Sequence, residues 1–246
     1  MKLHLLTRKE DLHPHRLAGK VVVVFDVLFA TTSLVTALAN GAKEAWPVPD
    51  AAAARERARH LDQPIVSGEL NADTLPGFVD PTPQALLAAG VANHSLVYAT
   101  TNGTVALSAS QGATTVYAAA LVNAAAMARY LVAHHADQTV LLVCAGSSGA
   151  MNLEDMIGAG ACIARLRDLA GGETRRVSDA AQTAYYTYAG ARASGPDGLI
   201  AALRRSHIGR IIRSRGGESE VDYAAMEDRF NGVCVMHGAR MVWQAE

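Results

Sequence analysis

Paired cysteines, runs of basic residues and long apolar stretches are all missing from this sequence. Cys144, Cys162 and Cys234 stand alone with no C-x-x-C spacing. In a chain of 246 residues that argues against a disulfide scaffold. The three read as reduced thiols in apolar settings. The net charge of −1 leaves no electrostatic footprint of a nucleic-acid binder. With no basic run, a role at a membrane surface is also not expected. No segment approaches the ~20 apolar residues needed to cross a bilayer, and the apolar stretch near residue 4 is too short for a signal peptide. The expected location is the cytoplasm. Internal repeats and low-complexity linkers are absent too.

What remains is a composition suited to a sizeable core: 50% hydrophobic and only 18% charged residues. Residues 1–246 read as one domain, with room for two lobes. Strand and helix signals alternate along it. The run 21–25, VVVVF, is short and rich in β-branched residues, like a strand covered on both faces. A helix follows at 31–39 and stops at Asn40-Gly41. Further strands are expected at 45–48, 65–66, 95–100, 114–118 and 139–145, and further helices at 51–60, 84–89, 103–108 and 123–134. A long helix at 153–170 stops at Gly171-Gly172. Residues 178–192, 197–206 and 207–215 read as helical. Residues 221–226 are ambiguous, and 233–236 is strand-like. Residues 71–83 hold Pro76, Gly77, Pro81 and Pro83, so they form a loop. A loop of that length (near 69–83 overall) is a candidate active-site element. The βαβα rhythm predicts an α/β protein with a mostly parallel sheet between two helical layers.

In such sheets ligands bind beyond the carboxyl ends of the strands. Four predicted strand ends carry polar clusters. Asp26 with Thr31 and Thr32 follows the first. Glu69 follows the strand beginning at 65. Thr101, Asn102, Gly103 and Thr104 follow the strand beginning at 95. Ser147, Ser148 and Gly149, then Glu154 and Asp155, follow the strand beginning at 139. Hydroxyls and free amides at helix starts suit an anion, although N-capping alone explains a Thr-Thr or Ser-Ser pair. Grouped carboxylates suit a hard cation such as Mg²⁺, although a helix dipole alone favours Glu154 and Asp155 in a first turn. Asp26 is harder to explain by local structure, because a carboxylate ending a buried strand needs compensation. Together the two chemistries suit a metal-bridged phosphate ester.

Three motifs carry a resemblance. DVLFATTSLVTALANGAKE from Asp26, TTNGTVAL from Thr100 and CAGSSGAMNLEDMIGAGACI from Cys144 occur in this order, and SGEL at Ser67 adds a fourth element. The chain thereby resembles the 2-phosphosulfolactate phosphatase (ComB-like) family, chiefly over 21–160. The resemblance implies a three-layer α/β/α fold and Mg²⁺-dependent hydrolysis of a small phosphate ester. In the family that ester is 2-phospho-3-sulfolactate, giving sulfolactate and phosphate. Asp26 and Glu69, with Asp155 or Glu154, would hold the metal, and Asp26 and Glu154 are the candidate catalytic acids. Thr31, Thr32, Thr101, Asn102, Gly103, Thr104, Ser147, Ser148 and Gly149 would cradle the ester. Position 28 is leucine, so there is no D-x-D pair, which favours Asp26 as ligand or base over nucleophile.

The departures from the family pattern are specific. Phe29 stands where the family has an arginine after DVL, and Leu70 where G-E-R has one. The loop GFVDPTPQ at 77–84 lacks the family's Asn-Ser pair. Each lost guanidinium would cost about 2–5 kcal/mol of oxyanion binding if unreplaced. Two readings stay open. The substrate is a less anionic phosphate ester than phosphosulfolactate, or the chain binds such an ester without turning it over. Arg204, Arg205, Arg210, Arg213 and Arg215 are available to compensate or form a solvated basic face. Alanines at 51–54, 118–120 and 124–126 allow close packing, in a homo-oligomer or against the sheet.

Overall fold

The computed structural model describes residues 1–169, 171 and 176–245. In chain order the elements are β1 (Lys2–Leu6), β2 (Lys20–Phe25), α1 (Ala30–Ala39), β3 (Glu44–Val48), α2 (Ala51–Ala58), β4 (Ile65–Leu70), β5 (Asp73–Thr74), α3 (Pro83–Ala88), β6 (Ser95–Ala99) and α4 (Gly103–Ala109). They continue with β7 (Thr115–Ala118), α5 (Ala124–His135), β8 (Thr139–Cys144), α6 (Leu153–Leu169), α7 (Asp179–Ala193), α8 (Gly198–Arg205), α9 (His207–Ser214), α10 (Glu218–Ala224), β9 (Gly232–His237) and β10 (Arg240–Ala245).

The valine run at 21–24 is wholly buried because β2 is sandwiched. Strand side chains alternate between faces. Val22 and Val24 pack with Leu34, Val35 and Leu38 of α1. Val21, Val23 and Phe25 pack with Met127 and Leu131 of α5 and with Met156 and Ile163 of α6. Each such side chain contributes about 1.5–3 kcal/mol by leaving water. Helices thus cover both faces, and the α/β/α expectation holds. The alanines at 118–120, with Ala54, Ala124 and Ala126, are spent inside this chain.

The sheet order is β1-β8-β2-β7-β9-β10-β3-β6-β4-β5. It contains two parallel groups, β1-β8-β2-β7 and β3-β6-β4, joined through the antiparallel hairpin β9-β10. The successive pairs β7–β9, β9–β10 and β10–β3 are antiparallel, and β10 meets β3 at one residue pair, Met241 with Ala45. Twist accumulating over those steps accommodates an outcome that matters for the site: the carboxyl ends of both groups border one cleft.

Several sequence expectations change. β1 was hidden by its shortness, yet Leu3 and Leu5 are buried and its polar residues are exposed. β10 was not expected. Residues 73–74 of the proline-rich loop form a short antiparallel pair with β4. The ambiguous residues at 221–224 are helical. Helices α8 and α9 are separate, because Ser206 turns extended and its Oγ caps α9 by accepting from the Gly209 N–H. Gly172 of the expected stop after α6 lies outside the described residues, as does Ala170, whereas Gly171 has a φ of +64°.

Candidate active site

Asp26 leaves the end of β2 and is only 8% exposed. The amides of Ala30, which opens α1, and of Gly103, which opens α4, lie near enough to its carboxylate to favour the charged form. The second contact dictates a glycine. A Cβ at position 103 would lie 2.4 Å from the Ala30 Cβ and 2.6 Å from Asp26 Oδ2. Gly158 of α6 serves the same purpose behind the strand end, where a Cβ would lie 2.6 Å from Val27 Cγ2.

Around Asp26, carboxylates tie the loops together. Asp155 is fully buried and accepts from the N–H of Val27 at 2.9 Å and of Gly146 at 3.0 Å. It staples the loop after β2 to the loop after β8. Glu69 Oε1 accepts from the N–H and hydroxyl of Thr101 at 2.7 and 2.9 Å, and its Oε2 accepts from the Ala72 N–H at 2.6 Å. Lys9 reaches in from the N-terminal segment and donates to Asn102 Oδ1 at 2.8 Å. That leaves the Asn102 NH₂ as the donor available to a ligand.

Burial and the nearby charges of Glu69 and Glu154 push the Asp26 carboxyl up to about 7. Burial first, then Asp26 and Glu154, drive Asp155 far above the usual carboxylate range. Glu154, 1% exposed, is raised by burial as well, and neither of its oxygens has a hydrogen-bond partner among the described residues. The Ser206 hydroxyl is near enough to favour its charged form, as is His207. That hydroxyl nevertheless donates to the Leu203 carbonyl at 2.8 Å, so Glu154 remains an orphaned acid.

A cleft of about 560 Å³ opens over this cluster. Asp26, Glu69, Thr101, Asn102, Ser147 and Ser148 line it. The other sequence candidates stand behind the lining. The Thr31, Thr32 and Thr104 hydroxyls are buried and donate to the carbonyls of Asp26, Val27 and Thr100. They hold helix starts in place rather than facing a ligand. Gly103 meets Asp26 with its amide, and the Gly149 carbonyl accepts from Arg8 at 2.7 Å. Glu154 and Asp155 lie beneath the cleft. Among the described residues no three His, Cys, Asp or Glu side chains are grouped so as to hold a metal ion.

The sequence patterns also missed half the cleft. Leu28, Asp80, Asn152, His207, Ile211 and Glu220 all border it. The Asp80 carboxylate accepts from the Thr74 hydroxyl at 2.6 Å, and Glu220 accepts from the Thr82 hydroxyl at 2.9 Å. The C-terminal part left two signals in the sequence: a weak family trace at Ser206-His207, and isoleucines at 208, 211 and 212, whose spacing places them on one side of a helix.

The sequence profile of the family described as 2-phosphosulpholactate phosphatase matches residues 6–239. The chain belongs to the 2-phosphosulpholactate phosphatase family. A relative from Deinococcus radiodurans is 37% identical over 87% of this chain and 87% of its own. One from Carboxydothermus hydrogenoformans is 32% identical over 92% and 89%, and one from Caldanaerobacter subterraneus subsp. tengcongensis is 30% identical over 90% and 89%. All three bear the name probable 2-phosphosulfolactate phosphatase. For a member of the 2-phosphosulpholactate phosphatase family, the two departures fall in different places. Phe29 borders the cleft, whereas Leu70 is 58% exposed and outside it. Of the arginines available to compensate, only Arg215 reaches the cleft. It is bound to the Ala72 carbonyl and, at 3.0 Å, to Asp73. Arg204 and Arg213 pair with acids of α10 instead.

Proposed function

We propose that this chain is a phosphate monoester hydrolase that works at the Asp26 cleft with Mg²⁺. The observation that carries the reading is the setting of Asp26: a buried carboxylate at a strand end, flanked by the amides opening two helices and crowded by Glu69 and Glu154. Crowded acids fit a cation, which would relieve their mutual repulsion, and the orphaned oxygens of Glu154 point the same way. The absence of a three-acid cage is compatible with Mg²⁺, which retains waters and is commonly held by one or two carboxylates plus a substrate phosphate. Asp26 and Glu69 would hold it, while Asp155, with both oxygens on backbone amides, fixes the loops. When bound, the ion would neutralise phosphoryl charge and polarise the phosphorus centre.

The chain's own groups supply the rest. The Asn102 NH₂, with its carbonyl held by Lys9, orients a phosphoryl oxygen. Ser147 and Ser148 offer hydroxyls from the loop after β8, and Ser147 itself donates to Asn152 at 2.8 Å. Such positioning accounts for most of the rate in phosphoryl transfer. With the ion bound, Asp26 would be held as the carboxylate, because a nearby cation offsets the crowding that raises it. Phosphate release from 2-phosphosulfolactate and from an aryl phosphate, with Mg²⁺ or with EDTA, tests this. Release should need the metal and fall at least about 10³-fold in Asp26→Asn. Full release by that variant would remove Asp26 from the reaction.

A further inference from the structure

The cleft has two unlike walls. One is the polar floor of strand ends. The other is built from Leu28, Phe29 and the face of α9 that carries Ile208, Ile211 and Ile212. Ile208, Ile212 and Phe29 pack partly against the helical core that contains Leu199 and Leu203. Ile211 belongs to no core cluster, yet it is only partly exposed and borders the cleft. A large apolar side chain that lies outside the core clusters and borders the cleft is available to an apolar group of a ligand.

Charge argues the same way. Among the described residues four carboxylates border the cleft, from Asp26, Glu69, Asp80 and Glu220, against the guanidinium of Arg215 and the imidazole of His207. That guanidinium is already bound to Asp73 and to the Ala72 carbonyl. A metal and the Asn102 amide can serve one phosphoryl group. A second anionic group on the substrate would face acids and isoleucines, with one imidazole and no unengaged lysine or arginine among the described lining residues to meet it, and stranding such a charge is costly.

We infer that the ester processed here carries one anionic group, its phosphate, on a branched or aromatic apolar alcohol, and that Ile211 selects for that apolar part. This rests on the hydrolase reading above and narrows its substrate. A hydrophobic pocket discriminates by about 10–200-fold for modest differences in apolar bulk.

The test compares 1-naphthyl phosphate with 2-phosphoglycolate, a small ester that carries a carboxylate beside its phosphate, and with 2-phosphosulfolactate, as kcat/KM in Mg²⁺. The naphthyl ester should lead by at least about tenfold. Ile211→Asn should shrink that lead about tenfold, and Ile211→Leu should keep it. In parallel, binding of the non-hydrolysable 1-naphthylphosphonate and phosphonoacetate to the unaltered protein in Mg²⁺ is measured by calorimetry, where the first should bind the tighter. Release of phosphate with no preference, or with the acidic esters preferred, overturns the inference and leaves the hydrolase reading standing. No release from any ester, with the phosphonate preference intact, overturns the hydrolase reading alone. Equal binding of the two phosphonates overturns the inference whatever the kinetics show.

Discussion

The two walls of the cleft are held in place by different physics. The polar wall sits on the ends of β2, β4, β6 and β8, and its ties are backbone amides donating to carboxylates: Val27 and Gly146 to the buried Asp155, and Thr101 to the part-buried Glu69. The apolar wall sits on α8, α9 and α10, short helices joined by half-exposed ion pairs such as Arg204–Asp222 and Arg213–Glu218. Groups that must be placed to a fraction of an ångström are anchored to the sheet, where packing leaves little freedom. Groups that set preference are carried on a surface layer that tolerates change. Substitutions in the first wall should therefore act on stability and turnover together, and those in the second mainly on substrate choice.

The hardest test of that contrast is Asp155→Ala. It strands two buried amides that nothing else can serve, each worth about 1–3 kcal/mol. The expected loss is about 2–5 kcal/mol in urea unfolding, with phosphate release lost alongside because two loops come free. A loss under about 1 kcal/mol would show that the staple is dispensable and that the walls do not differ as argued.

The next effect depends on pH. Asp26 holds its proton to about 7 in the folded chain against 3.8 for the free carboxyl, so the folded state binds more protons between those values. Stability from this group is full below its unfolded pKa and is lost as pH rises through about 7. The crowded acids Glu154 and Asp155 shift in the same direction. Asp26→Asn removes the titration. In EDTA the variant should gain on the wild type by about 1–3 kcal/mol between pH 5 and pH 8. Adding Mg²⁺ at pH 8 should then raise the wild type alone. A gap that stays constant with pH would mean that Asp26 is an ordinary exposed acid.

The polar wall was far more legible in the sequence than the apolar one, and the reason is local. A run such as VVVVF ending in Asp26 announces a strand end, and TTNGT announces a helix start, so both halves of that wall are written in contiguous stretches. What those stretches could not show is which atoms face the cleft. Thr31 and Thr104 have the right chemistry and the right positions, but their hydroxyls turn to the carbonyls of Asp26 and Thr100. Glu154 and Asp155 are adjacent in sequence, yet one is orphaned and the other doubly bonded. The apolar wall comes from α9, some 180 residues from Phe29, and only the packing of α8 and α10 brings it over the cleft. β1 and β10 escaped notice because a five- or six-residue strand at a terminus has weak periodicity until its partners are known.

The smallest expected effect probes the rim between the walls. Arg215 and Asp73 meet at 3.0 Å with side chains 42% and 78% exposed. A pair so open to solvent is screened and contributes little, so Arg215→Ala should cost less than about 1 kcal/mol, a difference that shrinks further in 0.5 M salt. Its effect on kcat/KM for a singly anionic ester should stay within about threefold, because the guanidinium is engaged with the 72–73 loop rather than with ligand. A fall beyond about tenfold that is larger for 2-phosphosulfolactate than for 1-naphthyl phosphate would show that Arg215 leaves Asp73 to grip a second anionic group. The rim would then belong with the polar wall, and Ile211 would be lining rather than selecting.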